Sequence, residues 1–339
     1  MYGSYSGRVR ALGAVAAGAA LLLTGCTSDG GGDSAAGGTG GNAPVTQLPK
    51  GDDPYWVNPD AKAAKALAEE SDPANKALIK KIAQQPAGEW LIPENAKEQA
   101  KGFTEAAAKA DREAILVVYN IPHRDCGNFS GGGAADGNAY RAFIKEVAEG
   151  IGDRPATVIL EPDAVLHLVD QCTPEKFHEE RYDLLKGAIK TLKQQPKTKV
   201  YLDAGNAGWG KPDQIFEPLK WSGVDQADGF SVNVSNFYST EDSKKYGKEL
   251  SAKVGNKPFV IDTSRNGNGP VQQKDLKDPW CNPPGRALGE VPTTKTGDPQ
   301  VHALLWVKRP GESDGTCRNG PQAGRWFADY ALELAKNAK

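Results

Sequence analysis

Seven short apolar runs, separated by stretches of helical periodicity, limit what this chain can fold into. They are Glu89–Ile92, Ala114–Tyr119, Thr157–Leu160, Lys199–Leu202, Gly229–Val232, Pro258–Ile261 and His302–Val307. Most are continuous rather than alternating, the pattern of strands buried on both faces. Between them, Ala96–Asp111 is rich in Ala, Lys and Glu. Asn138–Gly150 sets Tyr140, Phe143, Ile144 and Val147 on one face, with Gly150 as its stop. Pro174–Gln195 carries Leu184, Leu185, Ile189 and Leu192 at helical spacing, and Ser243–Val254 and Gln322–Lys336 continue the alternation. Strand and helix in repeated succession require a parallel sheet with helical crossovers. Two closures satisfy that, an open doubly wound sheet or a barrel. Tyr119, Glu161, Asp163, Asp203, Asn233, Asp262 and Lys308 stand at or just past the C-terminal ends of the runs. Polar groups spread over every strand end are how a TIM-like barrel builds a site, whereas an open sheet concentrates its site at one switch point. The expected fold is a single α/β domain over 51–339, a TIM-like barrel of seven strands.

The N-terminus reads differently. Arg8 and Arg10 precede an apolar stretch, Ala11–Leu23, too short to span a membrane comfortably. It ends in Leu23-Thr24-Gly25-Cys26, which resembles the lipobox of bacterial lipoproteins. Residues 1–26 are therefore expected to be a lipoprotein signal with Cys26 lipidated, the alternative being an ordinary secretory signal. Residues 27–50 are dominated by Gly, Ser, Ala and Asp, a composition that cannot bury a core and suits a tether. This predicts a globular part outside the cell, anchored to the outer face of the cytoplasmic membrane. A net charge of −2 gives no sign of a nucleic-acid partner.

Apart from Cys26 the cysteines are Cys126, Cys172, Cys281 and Cys317. An even number in an exported chain argues for disulfides. Three pairings are possible. The sequence-local one, Cys126–Cys172 with Cys281–Cys317, would staple two loop regions, each worth about 3–4 kcal/mol by loop entropy. A zinc site is the competing idea, opposed by the lack of any Cys-x-x-Cys pair and by four scattered histidines.

The run Thr157–Leu160 stops abruptly at Glu161-Pro162-Asp163. Two acids at the mouth of a buried strand are costly unless they are used, although Asp163 could simply cap the next helix. Four segments in order carry the argument further: Tyr119-Asn-Ile-Pro-His-Arg-Asp-Cys126, Ile159-Leu-Glu-Pro-Asp163, Tyr201-Leu-Asp-Ala-Gly205 and Trp306-Val-Lys-Arg-Pro-Gly-Glu-Ser-Asp-Gly315. Together with Trp280-Cys281, Asn233–Phe237 and Asp262–Pro270 they resemble glycoside hydrolase family 6, the inverting cellulases, from about Tyr55 to the C-terminus. The resemblance implies a distorted seven-stranded parallel barrel and hydrolysis of β-1,4-glucan without metal or cofactor.

It also implies roles. An inverting glycosidase needs a protonated acid and a water-activating base about 6.5–9.5 Å apart. Asp163 matches the proton donor, whose pKa must be raised. Asp125 matches the acid that keeps that proton in place, the alternative being an ion pair with Arg124. Asp314 matches the base, the alternative being a turn residue in Ser-Asp-Gly. Asp203 matches a further, electrostatic acid, and Glu161 reads as structural, paired to a nearby Arg or Lys. Tyr119 is expected beside the distorted sugar ring. Trp90, Trp209 and Trp280, placed after strands or in loops, match sugar platforms, the alternative being core aromatics. Trp306 reads as core. Asn236, Lys308 and Glu312 are expected to meet sugar hydroxyls, although Lys308 and Glu312 could form a surface ion pair. Gly127–Gly133 reads as a mobile loop in which Ser130 holds water, and no P-loop signature is present. Two departures stand out. Asn206 occupies a position where many family members have His, and an amide binds sugar but does not titrate near neutrality. Thr316 lengthens the gap between Asp314 and the last Cys, which could shift that loop. The expected activity is that of a monomeric endo-β-1,4-glucanase. A cellobiohydrolase is the alternative within the family, and a non-catalytic glycan-binding lipoprotein the alternative outside it. The short stretch between Pro270 and Trp280 favours an open cleft.

Overall fold

The computed structural model describes residues 54–271 and 276–339. The leader, the tether and Cys26 lie outside the described residues. Seven parallel strands run in chain order, β1-β2-β3-β4-β5-β6-β7. They are β1 (Glu89–Leu91), β2 (Ala114–Val118), β3 (Ala156–Leu160), β4 (Thr198–Asp203), β5 (Gly229–Val232), β6 (Phe259–Asp262) and β7 (Val301–Leu305). The main crossover helices are α3 (Ala96–Lys109), α4 (Gly137–Ile151), α6 (His178–Leu192), α7 (Pro212–Trp221) and α8 (Thr240–Lys253). A four-residue turn, α5 (Leu166–Val169), directly follows the acid-bearing loop after β3. Before β1 lie α1 (Lys62–Glu69) and α2 (Pro73–Ala83), which with α9 (Ala328–Asn337) pack around Trp306.

The strands curl because their two faces bury different sets. Along β2, Leu116 and Val118 face the helices, while Ile115 and Val117 face inward. The inward set continues with Ile159, Tyr201, Val260, Ala303, Leu305 and Val307, so side chains from β2, β3, β4, β6 and β7 meet in one cluster. A flat sheet could not bring them together. Closure between β1 and β7 has no strand ladder among the described residues. Instead the Gly88 N–H donates to the Trp306 carbonyl at 2.8 Å, and the Trp90 indole N–H to the Val307 carbonyl at 3.0 Å. A Cβ at Gly88 would collide with the Val307 carbonyl, so glycine permits this approach. That is the distortion expected of the seven-stranded barrel.

Some sequence boundaries shift. The stop of α4 is Gly152, at φ 60°, not Gly150. Gly150 lies inside the helix, where a Cβ would strike the Lys97 carbonyl of α3; it serves close helix packing instead. The C-terminal helix starts at Ala328 rather than Gln322. Both disulfides follow the sequence-local pattern, Cys126–Cys172 and Cys281–Cys317.

Candidate active site

The C-terminal ends of the strands open into a cleft of about 690 Å³. Strand-end acids divide into two levels there. Glu161, Asp203 and Asp262 are at most 1% exposed and do not line the cleft. Each ties the loop of a neighbouring strand. Glu161 accepts N–H bonds from Asn120 and Ile121 at 3.0 Å. Its main donors are therefore backbone amides, and the Arg124 charge acts on it without a direct ion pair among the described residues. Burial pushes its carboxyl up to about 7 against the pull of those donors. Asp203 accepts the Asp163 N–H at 2.9 Å and the Gly205 N–H at 3.1 Å, so it holds the backbone of Asp163 from beneath. Burial raises its carboxyl to about 6. Asp262 accepts from Ser235 and Lys308 N–H, both at 2.9 Å. A buried carboxylate with several N–H donors is costly to place but rigid once satisfied, and this layer fixes the loops above it.

Asp163 stands above that layer and lines the cleft. Its φ of 70° keeps it out of a capping conformation, and the N-cap of α5 is Val165. Burial raises its carboxyl well above the usual range, and the charges of Asp203 and Asp125 raise it further, while the Tyr119 hydroxyl pulls the other way. Asp125 also lines the cleft, at φ 54°. Its Oδ2 accepts from the Ser130 N–H at 2.9 Å and the Ser130 hydroxyl at 2.7 Å. Arg124 turns away from it: Nε donates to the Ser130 carbonyl at 2.7 Å, and the guanidinium covers the Tyr119 ring at 4.7 Å. Tyr119, Asp125 and Ser130 thus form one wall, with the Tyr119 and Ser130 hydroxyl oxygens 3.4 Å apart.

Asp314 lies on the C-terminal loop and is nearly buried. Its Oδ2 meets Arg265 at 2.7 Å and accepts the Asn282 N–H at 2.9 Å, and its Oδ1 meets Lys308 Nζ at 2.9 Å. Burial raises the carboxyl, but the Arg265 and Lys308 charges outweigh it and hold the group down at about 2. Asp314 is therefore an anchored carboxylate and not a solvated turn residue. Thr316 is exposed and does not disturb that anchoring. Arg265, with no exposed surface, went unassigned in the sequence although its segment was noted. Lys308 and Glu312 do not pair with each other. Glu312 instead binds Arg309 at 3.0 Å and Lys62 of α1 at 3.2 Å, and both Lys308 and Glu312 line the cleft.

The aromatic walls are Trp90, Trp209 and Trp280, which all reach the cleft. Trp90 is in β1 itself rather than after a strand, because β1 ends the barrel and exposes one edge; its ring meets Tyr119 edge-on at 5.4 Å. Trp209 packs edge-on against His167 at 4.9 Å. Trp280 is 38% exposed and its ring meets that of Phe129 at 5.9 Å. Trp306 is core, as read from the sequence. Asn236 lines the cleft, as does Asn206, whose Oδ1 accepts the Gly208 N–H at 3.0 Å and so shapes the turn into Trp209. Among the described residues, one group has metal-ligand character: Cys126, Cys172 and His167, with donor atoms within 4.8 Å of one another. Its two sulfurs are joined to each other, which removes the thiolates a zinc ion would need.

With one cleft carboxyl raised well above its usual range, another held low by Arg265 and Lys308, and three tryptophans lining the same cleft, the site is suited to acid–base cleavage of a sugar chain. The family model for glycosyl hydrolases family 6 matches residues 50–338. Endoglucanase A of Cellulomonas fimi is 43% identical over 289 residues, covering 84% of this chain and 61% of the relative. Endoglucanase 1 of Streptomyces halstedii is 39% identical over 291 residues, covering 83% of this chain and 88% of the relative. Endoglucanase A of Thermobispora bispora is likewise covered over 63% of its length, so the chain spans less than two thirds of two of these relatives. Among solved structures, the endoglucanase Cel6 of Mycobacterium tuberculosis, in complex with a thio-linked cellobioside, superposes with a TM-score of 0.80 at 43% identity, covering 85% of this chain and 98% of that one. The chain belongs to glycosyl hydrolases family 6.

Proposed function

We propose that this protein is an endo-β-1,4-glucanase that cleaves cellulose-type chains with inversion, Asp163 donating the proton. The carrying observation is the opposite electrostatic setting of two cleft carboxyls: Asp163 raised well above its usual range and Asp314 depressed to about 2. In this reading the Asp163 proton passes to the glycosidic oxygen as the bond from C1 to that oxygen breaks. Water attacks C1 from the opposite face, and its proton leaves towards Asp314, directly or through water held near Ser130. A carboxylate held so low is a weak acceptor, but water bonding to an oxocarbenium-like carbon is a strong acid by then. Catalysis needs Asp163 protonated and Asp314 ionised, so the rate falls as pH rises through the raised Asp163 value. Trp90, Trp209 and Trp280 offer flat faces to glucose rings, and Asn206, Asn236, Lys308 and Glu312 polar groups to hydroxyls. A non-catalytic sugar binder would have no use for two cleft carboxyls whose acidities are pushed in opposite directions.

Proton NMR of the earliest products from cellopentaose tests this. The α-anomer is expected first; initial β-anomer would refute inversion. Chain-end action is the second reading, since the family also includes cellobiohydrolases. Viscosity falling much faster than reducing ends appear marks endo action.

The monomeric enzyme is proposed to work outside the cell, held to the outer face of the cytoplasmic membrane by lipidated Cys26. The basic and apolar leader ending in Gly25-Cys26 supports this. Cys26→Ser is expected to move the protein from the membrane fraction to the medium. An unchanged distribution, with the wild type never sedimenting with membranes, would exclude the anchor.

A further inference from the structure

Asp163, His167 and Asp170 sit on the short segment after β3, Asp163 in the turn ahead of α5, His167 inside it and Asp170 at its C-cap. The His167 N–H donates to the Asp163 carbonyl at 3.0 Å, and the Asp170 N–H to the Leu166 carbonyl at 2.9 Å. All three side chains line the cleft. Asp170 is fully engaged. Its Oδ2 accepts the indole N–H of Trp209 at 3.0 Å, and its Oδ1 the Cys172 N–H at 2.9 Å. His167 closes the arrangement, its ring against Trp209 and its Nδ1 3.8 Å from Asp170 Oδ2. Neither ring nitrogen of His167 has a hydrogen-bond partner within the protein, although the ring lines the cleft.

Trp209 arrives on the loop after β4, whereas Asp163 and Asp170 follow β3. Without Asp170 the indole would be fixed only by packing at the rim of an open cleft. We propose that Asp170 is a positioning residue that locks the Trp209 platform to the segment carrying Asp163, so that a glucose ring stacked on Trp209 is seated in register with the proton donor. The inference deepens the glucanase reading and rests on it. The reason for such a tie is geometric: a misplacement of about 1 Å between donor and leaving oxygen can cost ~100-fold in rate. Tying the platform to the acid's own turn makes the two move together.

Asp170 also adds negative charge near Asp163. The groups facing Asp163 are Asp203 beneath, Asp125 and Tyr119 across the wall, and Asp170 on its own turn. Arg181 and Asp125 approach the His167 side of that turn. Of the carboxylates around Asp163, Asp170 makes the smallest addition, after burial, Asp203 and Asp125. Its removal should therefore move the alkaline limb of activity to lower pH by a small but measurable amount.

Asp170→Ala, Asp170→Asn, Trp209→Ala and the double variant Asp170→Ala/Trp209→Ala test this on the full chain. Asp170→Ala is expected to raise KM for cellotetraose roughly ten-fold, the scale of one charge-assisted hydrogen bond, with a smaller fall in kcat. In the Trp209→Ala background the same change should leave KM within about two-fold, because the platform it positions is gone. Asp170→Asn keeps the size and one acceptor but loses the charge. It should fold if Asp170→Ala does not, show an intermediate KM, and move the alkaline limb of kcat/KM down. Tryptophan emission on adding cellotetraose gives a readout independent of cleavage: its change should shrink in Asp170→Ala and shrink further in Trp209→Ala, with Trp90 and Trp280 supplying the remainder. Additive KM effects of the two single variants, or an unchanged KM in both Asp170 variants, would overturn the proposal. If the wild type cleaves no β-glucan, the glucanase reading fails by itself, and the emission titration still decides whether Asp170 seats the platform.

Discussion

Asp163→Asn is expected to lower turnover on carboxymethyl-cellulose at least ~100-fold, the scale of a general-acid contribution, while leaving the fold intact. An amide of the same shape cannot supply the proton that the glycosidic oxygen needs. The backbone there, at φ 70°, suits Asn as well as Asp. Stability should move the other way. The folded-state pKa of Asp163 is raised above that of the unfolded chain, so its contribution is fully present below about pH 4 and is lost as pH rises through the folded value. The variant has no such group, so its stability relative to the wild type should grow with pH. Urea unfolding at pH 5 and pH 8 measures this. Activity within ten-fold of the wild type would remove Asp163 from the acid's role.

Asp314→Ala is expected to cost about 3–5 kcal/mol of stability, the usual result of deleting one partner of a buried ion pair. Arg265, with no exposed surface, and Lys308 would both lose their carboxylate, and the Asn282 N–H its acceptor. The sign with pH is opposite to that of Asp163. The folded pKa of Asp314 is depressed to about 2, so its contribution is present above about pH 4 and is lost as pH falls through 2. Denaturant unfolding at pH 7 and pH 3 should therefore show the gap between wild type and variant narrowing in acid. A gap below about 1 kcal/mol at pH 7 would mean that the triad behaves like a surface pair. Asp314→Asn, which keeps one acceptor, should be milder in stability yet still lose activity.

These two residues show what was legible in the chain. Apolar runs ending in polar residues marked the seven strands and their functional end, because strand period and strand termini are local properties, whereas the role of Asp163 came from the ordered motifs that resemble the family. The motif around Asp314 gave its position but not its surroundings, since Arg265 and Lys308 come from different strands. Depth was the harder matter. Glu161, Asp203 and Asp163 look alike at the ends of neighbouring strands, yet two are buried beneath the cleft and one lines it. The curl of the barrel decides that, and no short window records it. Lys62 meets Glu312 across 250 positions of sequence, a pairing without a local signal. Asp170 had no local signal: it caps a four-residue helix too short to be seen by periodicity, and its partner Trp209 follows the next strand. Trp90 falls within the first apolar run, Glu89–Ile92, and the structure places it in the edge strand β1, from which it reaches the cleft.

The most direct test of Asp163 as proton donor compares two leaving groups in the Asp163→Asn variant. Cellotetraose has a sugar leaving group that needs a proton, whereas β-cellobiosyl fluoride releases fluoride with little help. The account predicts that hydrolysis of cellotetraose collapses while hydrolysis of the fluoride stays within about ten-fold of the wild type, in keeping with loss of general acid catalysis alone. Equal losses on both substrates would contradict it.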